Sequence, residues 1–386
     1  MEKKVKVIFA GGGTGGHLFP AIAMAEEFKK RYPESEVFFV GTKRGLEAEV
    51  VLKRGFKLHY IKIKGIKRRL DFKILLFPFY VLLSLLQSYQ ILKGISPDLV
   101  VGTGGYVSFP VVFLASLKNI PSLIQEQNSY PGISTRILSL WADRVCLAYP
   151  ESIKYFTKKK NLKVIGNPVR EDISEGFIED QEIEKEGGKK NSLKKFNLES
   201  DKKTVFILGG SQGSKAINDA LLDGLDLLEK EKDIQILWQT GKSDYLRIKD
   251  MVKVYKSKIS VLSFIENMSE AYKVSDLLVS RAGALTLAEI LCCGKPALLI
   301  PYPFAASDHQ RHNAESLKKG GAAEIILQKD LDGRTLFKIV LELLKDEQRL
   351  KKMAEASKRL SQPEATSYLV DEMVSLLSKR SFHMNA

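Results

Sequence analysis

The sequence contains little cysteine: Cys146, Cys292 and Cys293 are the three cysteines among 386 residues, and two of them are adjacent. This scarcity excludes a disulfide framework and a zinc site with four cysteine ligands, and it favours a reducing cytoplasm. The N-terminus also lacks the apolar core of about 7 to 15 residues that a secretory signal needs, so we expect no signal peptide.

Acidic residues are outnumbered, with 46 Asp and Glu against 60 Lys and Arg, which gives a formal charge of +14. This excess predicts an anionic partner, such as nucleic acid, a membrane surface or a phosphorylated substrate. The basic stretches lack interleaved aromatic residues and any known nucleic-acid motif, so we do not expect nucleic acid. The composition is otherwise that of a globular protein, and the length predicts two domains.

Short apolar runs alternate with helical segments along most of the chain. This alternation predicts parallel sheets covered on both faces by helices. Strands are predicted at 5–10, 37–41, 99–102, 122–124 and 144–146, and again at 204–208, 234–238, 277–279 and 297–300.

The domain boundaries follow from the same pattern. Gly166-Asn167-Pro168 interrupts it, so we predict domains at 1–167 and 168–362, followed by a last helix at 363–386. Residues 171–186 contain eight acids and one lysine, and the stretch after them turns basic. We interpret this part as a solvated insertion without a core-forming pattern.

The segment 74–92 has no charged residue, yet it is too short to span a membrane. A helix from Pro78 to Lys93 would be about 24 Å long, against about 30 Å of hydrocarbon. Nine Lys or Arg residues and a single acid lie between Lys53 and Lys73. The Lys53–Leu92 region is therefore either a surface that docks on an anionic bilayer or a core helix beside a solvated basic loop.

The first glycine loop, at Gly11, Gly13 and Gly16, fits the G-x-G-x-x-G pattern of dinucleotide-binding proteins. The acid expected at the end of the next strand is missing, because that strand runs into Gly41-Thr42-Lys43-Arg44. NAD is therefore improbable, whereas NADP is not excluded. His17, directly after the loop, could donate to an oxyanion, act as a general base or cap the helix.

Other polar or glycine-rich segments follow predicted strands. Glu126 is a plausible acid or base and Asn128 a plausible partner for a sugar hydroxyl, although both could simply fill a turn. Thr286 and Glu289 have the spacing of a capping box, but Glu289 could also bind two ribose hydroxyls. The segment 308–313 contains two histidines without a trustworthy metal-ligand spacing.

Taken in order along the chain, seven segments resemble the MurG family of bacterial N-acetylglucosaminyltransferases. They are 11–21, 104–106, 126–128, 166–170, 209–213, 281–286 and 309–313. The resemblance implies a GT-B fold, an α/β architecture of two Rossmann-like doubly wound domains that face a cleft, with the last helix returning to the first domain. It also implies a hexosyltransferase of peptidoglycan synthesis at the cytoplasmic face of the plasma membrane, peripherally bound, without a cofactor or metal.

The implied donor is UDP-N-acetylglucosamine, and the implied acceptor is the C4 hydroxyl of undecaprenyl-diphospho-N-acetylmuramoyl pentapeptide. The resemblance implies that the sugar is transferred with inversion. His17 and Glu126 are the two candidate bases. The residues implied to bind substrate on the sugar side are Thr14, Gly15, Gly16, Tyr106 and Asn128. Those implied to hold UDP are Arg170, Ser211, Ile265, Gly283, Ala284, Leu285, Thr286, Leu287, Ala288, Glu289 and Gln310.

Two features depart from the family pattern: the long charged stretch after residue 170, and Thr103 in place of a more usual apolar residue. We expect neither to touch a proposed contact. The main alternative function is a UDP-N-acetylglucosamine 2-epimerase of the same fold, which would have no use for a membrane surface. An NADP oxidoreductase would explain the first glycine loop but not the segment 209–213.

Overall fold

The computed structural model describes residues 4–43, 46–63, 77–173, 187–210 and 212–384. The chain forms two compact units: unit 1 is Met1–Val169 with Glu364–Ala386, and unit 2 is Arg170–Pro363. Each unit is built around one parallel sheet.

The sheet of unit 1 has seven strands in the order β3-β2-β1-β4-β5-β6-β7, all parallel. The order reverses between β1 and β4, and this reversal opens a crevice at the carboxyl ends of the strands. The strands are β1 (Lys6–Ala10), β2 (Glu36–Gly41), β3 (Lys57–Tyr60), β4 (Leu99–Gly102), β5 (Ser122–Glu126), β6 (Arg144–Leu147) and β7 (Leu162–Val164).

Helices cover both faces of this sheet, because successive strand side chains point to opposite sides. Val7 and Phe9 belong to one buried cluster, and Ile8 and Ala10 belong to the other. The helices are α1 (Gly15–Arg31), α2 (Glu47–Lys53), α3 (Phe77–Ile95), α4 (Gly105–Leu117) and α5 (Ile133–Leu138), with a 3₁₀ helix at Pro150–Tyr155.

The sheet of unit 2 has six parallel strands in the order β10-β9-β8-β11-β12-β13. They are β8 (Lys203–Leu208), β9 (Ile234–Gln239), β10 (Ile259–Leu262), β11 (Leu277–Ser280), β12 (Ala297–Leu299) and β13 (Ala323–Ile325). The helices are α6 (Gly187–Lys195), α7 (Lys215–Asp223), α8 (Leu225–Leu228), α9 (Tyr245–Met251), α10 (Met268–Val274), α11 (Ala284–Cys292), α12 (His309–Lys319), α13 (Gly333–Lys345) and α14 (Glu347–Leu360). Short 3₁₀ helices occur at Val252–Val254, Ala306–Asp308 and Gln328–Asp330.

The last helix, α15 (Ala365–Met384), belongs to unit 1. It buries Leu369, Val370, Met373 and Leu376 in the cluster that also contains Phe9. On its polar side, Glu372 lies 2.7 Å from the Nε of Arg144. The helix thus completes the core on one face of the first sheet.

Some predicted elements differ from the observed ones. The glycine run at 11–16 followed by Pro20 predicts a first helix that begins near Pro20, but the helix begins at Gly15 and Pro20 lies inside it. The stretch after residue 186 was expected to be solvated throughout, but α6 and the turn after it bury Leu193, Phe196 and Leu198. Residues 174–186, the acidic part of that prediction, lie outside the described residues.

Helix α3 reverses the usual distribution of polarity. The helical spacing of Tyr80, Ser84, Gln87 and Ser88 predicts one polar stripe, yet Ser84 and Ser88 are fully buried. Apolar side chains instead face outward: Phe79, Leu82, Leu86 and Tyr89 are 61%, 58%, 56% and 44% exposed. None of the helices that the structure describes combines the length and the apolar character needed to cross a bilayer.

Candidate active site

In unit 1, the segments after β1, β4 and β5 meet at the carboxyl edge of the sheet. Gly11 packs so closely that an added Cβ would lie 1.9 Å from Thr103 Oγ1. Gly104 has a φ of +96°, and a Cβ there would lie 2.8 Å from His17 Nδ1. The glycines of both loops therefore make room for the side chains of Thr103 and His17.

The hydrogen bonds of His17 fix its tautomer. Its Nδ1 lies 3.0 Å from the carbonyl oxygen of Thr103 and 3.1 Å from Oε1 of Gln127. Because a carbonyl oxygen can only accept, Nδ1 carries the hydrogen, and the neutral ring therefore has an unprotonated Nε2. This arrangement leaves Nε2 as the nitrogen able to accept a proton.

Thr103 is part of this arrangement, so the expectation that it touches no proposed contact is wrong. Its hydroxyl donates to the carbonyl oxygen of His17 at 2.7 Å, while its own carbonyl accepts from the His17 ring. An apolar residue could not make the first of these bonds. Thr103 therefore fastens the start of α1 to the end of β4.

Glu126 is buried, and both of its carboxylate oxygens accept hydrogen bonds from the following turn. Oε1 accepts from the backbone amide of Asn128 at 3.1 Å and from its side chain at 3.2 Å. Oε2 accepts from the backbone amide of Gly132 at 3.1 Å. The carboxylate thus closes the 126–132 turn and orients Asn128.

The boundary segment is tied to the same strand end. Asn167 accepts from Gln125 Nε2 at 3.0 Å and donates to the carbonyl of Gln127 at 2.9 Å. All three side chains are buried. Asn167 is therefore bonded to the backbone of Gln127, the residue whose side chain contacts His17.

Glu47 is a residue of this site that the sequence pattern does not identify, because the pattern places the acid at the end of β2, no further than residue 44. The buried carboxylate of Glu47 accepts from the amide and hydroxyl of Thr42, both at 2.9 Å, and from the amide of Gly13 at 3.3 Å. It therefore holds the first glycine loop against the end of β2. Burial, with the charge of Glu47 as a second cause, raises the pKa of Tyr106 above its usual range. An acid at the start of a short helix after the strand was the signal available in the sequence.

In unit 2, Gln239 joins two segments predicted to hold UDP. Its Nε2 donates to the carbonyl of Gly210 at 3.1 Å, and its Oε1 accepts from the amide of Ile265 at 2.8 Å. Ile265 itself is buried. Ser211, a predicted contact in the same loop, lies outside the described residues.

Helix α11 begins at Ala284, with Gly283 as its N-cap and no side-chain cap. The capping-box interpretation of Thr286 and Glu289 is therefore wrong, since Thr286 already lies inside the helix. The sequence predicts Glu289 in the first turn of this helix, but it lies in the second turn. The side chains of Ala284 and Leu287 are buried. Within 283–288, a ligand would therefore meet mainly backbone amides and Thr286.

Glu289 is held by two side chains. The hydroxyl of Tyr272 donates to its Oε2 at 2.8 Å, and Nε of Arg170 lies 3.3 Å from its Oε1. Only 15% of the Glu289 side chain is exposed. Burial raises the pKa of Glu289 above its usual range, and Arg170 and Tyr272 oppose that rise. Burial likewise places the pKa of Tyr272 well above its usual value.

Gln310 is positioned through a loop anchored by Arg281. Its Oε1 accepts from the amide of Tyr302 at 2.9 Å. Arg281 donates to the carbonyls of Ile300 and Pro301 at 3.0 and 3.3 Å, and to Gln328 at 2.6 Å. Burial lowers the pKa of Arg281 to about 10. Among the described residues, no three His, Cys, Asp or Glu side chains come together as a metal site would require.

Two family models cover most of the chain. The glycosyltransferase family 28 N-terminal domain matches residues 7–147, and the C-terminal domain of that family matches residues 204–369. A protein of Thermodesulfovibrio yellowstonii is 41% identical over 97% of this chain and 100% of its own length. It is named UDP-N-acetylglucosamine--N-acetylmuramyl-(pentapeptide) pyrophosphoryl-undecaprenol N-acetylglucosamine transferase. This chain belongs to the MurG family.

Solved structures agree with this family. The crystal structure of Acinetobacter baumannii MurG is 29% identical, with a TM-score of 0.76, and the match covers 96% of this chain and 99% of that one. The predicted GT-B fold and the predicted glycosyltransferase activity are confirmed. A UDP-GlcNAc 2-epimerase from Neisseria meningitidis is 15% identical, with a TM-score of 0.64 and coverage of 97% and 100%. That likeness shows the fold alone, so the epimerase alternative is the less supported.

Proposed function

We propose that this chain transfers N-acetylglucosamine from UDP-N-acetylglucosamine, with inversion, to the C4 hydroxyl of undecaprenyl-diphospho-N-acetylmuramoyl pentapeptide during peptidoglycan synthesis. The observation that carries the proposal is the similarity over 97% of the chain to a relative named for this donor and acceptor. The arrangement of the candidate residues within each unit supports it and suggests a role for each.

We propose unit 2 as the donor site. Glu289 has about four lone-pair positions, of which Tyr272 and Arg170 use one on each oxygen. No other described residue takes the second position on either oxygen, and this pair of positions suits the two neighbouring hydroxyls of the ribose. The amides at 283–286 and the start of the helix dipole would stabilise the diphosphate, whose charge increases as UDP leaves. Ile265 would contact the uracil, and Arg170, Ser211 and Gln310 would complete the donor contacts.

We propose His17, through Nε2, as the base that accepts the C4 hydroxyl proton. Its half-buried ring has the tautomer that leaves Nε2 free of hydrogen. Glu126 is the weaker candidate, because its buried carboxylate already accepts three hydrogen bonds from the 126–132 turn. Its proposed role is to hold that turn, and with it Asn128.

The remaining sugar-side proposals lie in the same part of unit 1. Thr14 and Gly16 are exposed at the start of α1, where Gly15 contributes a first-turn amide. Tyr106 closes the glycine loop from the side, since a Cβ on Gly13 would lie 3.0 Å from its hydroxyl. These groups would contact N-acetylglucosamine through backbone amides and hydroxyls.

We propose that the outward apolar face of α3 docks on the cytoplasmic face of the plasma membrane. The exposed side chains Phe79, Leu82, Leu86 and Tyr89 recur on one side of the helix, which is unusual for a helix in contact with water. The basic residue Lys62 is tied to α3, because its amide donates to Gln87 Oε1 at 2.7 Å. Residues 64–76, which contain the rest of the predicted basic loop, lie outside the described residues.

The test of the proposed reaction is UDP release from UDP-N-acetylglucosamine in EDTA, with and without the lipid-linked muramoyl pentapeptide. We expect release only with acceptor present, together with an equal amount of lipid-linked disaccharide. Release of free N-acetylmannosamine without acceptor would instead favour the epimerase. No release in folded protein under either condition would reject the transferase.

A further inference from the structure

Tyr272 is a buried group that the roles proposed above do not include among the ligand contacts. It lies on α10, and none of its surface is accessible to solvent. Its ring packs edge-on against Phe206 of β8, with centroids 5.9 Å apart. Its hydroxyl reaches Oε2 of Glu289 at 2.8 Å. The ring is therefore held by the sheet, while its single polar atom is directed at the carboxylate.

The carboxylate of Glu289 needs such support. Its helix gives it no fixed orientation, because a Glu side chain has several rotatable bonds and two interchangeable oxygens. Arg170 is the other group that holds it, but 43% of the Arg170 side chain is exposed, and Asp172 lies within 3.9 Å of the same Nε. Tyr272 is consequently the more rigid of the two supports.

We propose that Tyr272 is a positioning residue for donor binding: its hydroxyl fixes the Glu289 carboxylate so that one lone pair on each oxygen faces the ribose diol. This inference rests on the proposed donor role of Glu289. It adds that the ribose is recognised by a tyrosine–carboxylate pair, of which the tyrosine never touches the ligand. Tyr272 therefore affects selectivity for the ribose hydroxyls and leaves the transfer step unchanged.

The test compares binding of UDP and 2′,3′-dideoxy-UDP to the full chain and to Tyr272→Phe, which keeps the ring and removes only the hydroxyl. We expect Tyr272→Phe to weaken UDP about three- to tenfold, the range for one hydrogen bond, and to leave dideoxy-UDP unchanged. In steady-state assays the donor KM should rise while kcat stays the same. An equal loss for both ligands would show a merely structural role and overturn the proposal, as would no loss for UDP.

Tyr255→Phe is a matched control, because Tyr255 also bonds a carboxylate of unit 2, that of Asp226. Tyr255 lies just before β10 and therefore near the amino ends of the strands. The donor residues follow the carboxyl ends of the strands. We expect it to bind both ligands like the unchanged chain. Thermal unfolding of each variant identifies any that is not folded.

A second arm separates the proposed role of Tyr272 from the donor role of Glu289. In a Glu289→Gln background, Tyr272→Phe should cause no further loss of UDP affinity beyond the first substitution. If the unchanged chain binds UDP and dideoxy-UDP equally, the ribose role of Glu289 itself fails. If the unchanged chain binds UDP more tightly than dideoxy-UDP, but the two substitutions lower UDP affinity independently, the role of Tyr272 is rejected and the donor role of Glu289 is retained.

The pH dependence gives a further readout. Among the described residues, the titratable and charged groups around Glu289 are Arg170, Asp172, Tyr272 and the cysteines Cys292 and Cys293. Removing the Tyr272 hydroxyl takes away one bond that favours the ionised carboxylate. UDP affinity in Tyr272→Phe should therefore begin to fall at a higher pH, as the solution is acidified, than in the unchanged chain. An unmoved acid limb would contradict the proposal.

Discussion

At the scale of single residues, the two candidate bases differ in what their neighbours leave available. The hydrogen bonds that described residues make to the His17 ring involve Nδ1, whereas both oxygens of Glu126 are used by its own turn. A base needs an unoccupied lone pair more than it needs a particular side chain. The environment therefore separates two residues that the sequence alone left equal.

Replacing His17 with Gln should lower kcat by about 10²- to 10⁴-fold, the contribution of a positioned general base, with little change in donor KM. The measurement is steady-state UDP release with saturating acceptor. Glu126→Gln serves as the comparison and should chiefly lower the melting temperature. A larger fall in kcat for Glu126→Gln than for His17→Gln would reverse the assignment.

Glu289 gives a pH prediction. Since burial raises its pKa, the carboxylate should become protonated at a higher pH than an exposed Glu. Donor affinity should then be full above that raised pKa and fall as the pH drops through it. Glu289→Gln should weaken UDP binding about 10- to 100-fold and abolish this acid limb. Calorimetric titration of UDP across pH checks both, and an unchanged donor affinity would refute the ribose role.

At the scale of elements, the sequence predicted the buried strands best. The strands that it missed, β3, β7, β10 and β13, have three or four residues each and lie at or next to a sheet edge. Such short, half-exposed strands carry no continuous apolar pattern. The start of α1 was misplaced because the glycines of the loop, normally poor helix formers, continue into the helix. The local sequence does not reveal that packing on the sheet holds these glycines in a helix.

The candidate site follows the same rule. Motif residues such as His17 and Glu289 were found, because glycines or a helix start stand beside them in the sequence. Thr103 and Tyr272 act through contacts with residues distant along the chain, and no nearby pattern marks that function. Glu47 differs, because its position at the start of a short helix after β2 is a local signal. The roles of Thr103 and Tyr272 depend on which strand ends become neighbours, which only the folded sheet determines.

The apolar face of α3 gives a prediction at this scale. Leu82→Ser combined with Leu86→Ser should reduce binding to vesicles containing phosphatidylglycerol by about tenfold or more, because each exposed leucine buries apolar surface on docking. Co-sedimentation with the vesicles measures this. The control is Leu246→Ser with Val254→Ser, since both are strongly exposed in unit 2 at 72% and 81%. Equal effects of the two pairs would contradict a specific docking face.

At the scale of the whole molecule, the chain enters unit 2 once and leaves it once, and unit 1 is built from two separate parts of the sequence. The second part contributes α15, which adds Leu369, Val370, Met373 and Leu376 to the buried cluster that contains Phe9. The stability of unit 1 therefore depends on residues more than three hundred positions away from its first strand.

Met373→Ala should destabilise unit 1 by about 2–5 kcal/mol, because the buried side chain leaves a cavity in the core. The melting transition of unit 1, followed by hydrogen exchange in β1 and β4, should shift to lower temperature while that of β8 and β11 stays in place. Met251→Ala is the control, since Met251 is 48% exposed in unit 2. Equal shifts in both units would argue against independent cores.

The return of α15 to unit 1 also sets an order for folding on the ribosome. The strands of unit 1 are synthesised before unit 2, yet their core lacks one layer until α15 emerges. All of unit 2, from residue 170 to residue 363, is translated in between and can close its core first. The nascent first sheet must therefore remain incomplete for about half of the translation time. The enzyme should become competent only after α15 has left the ribosome and packed on unit 1.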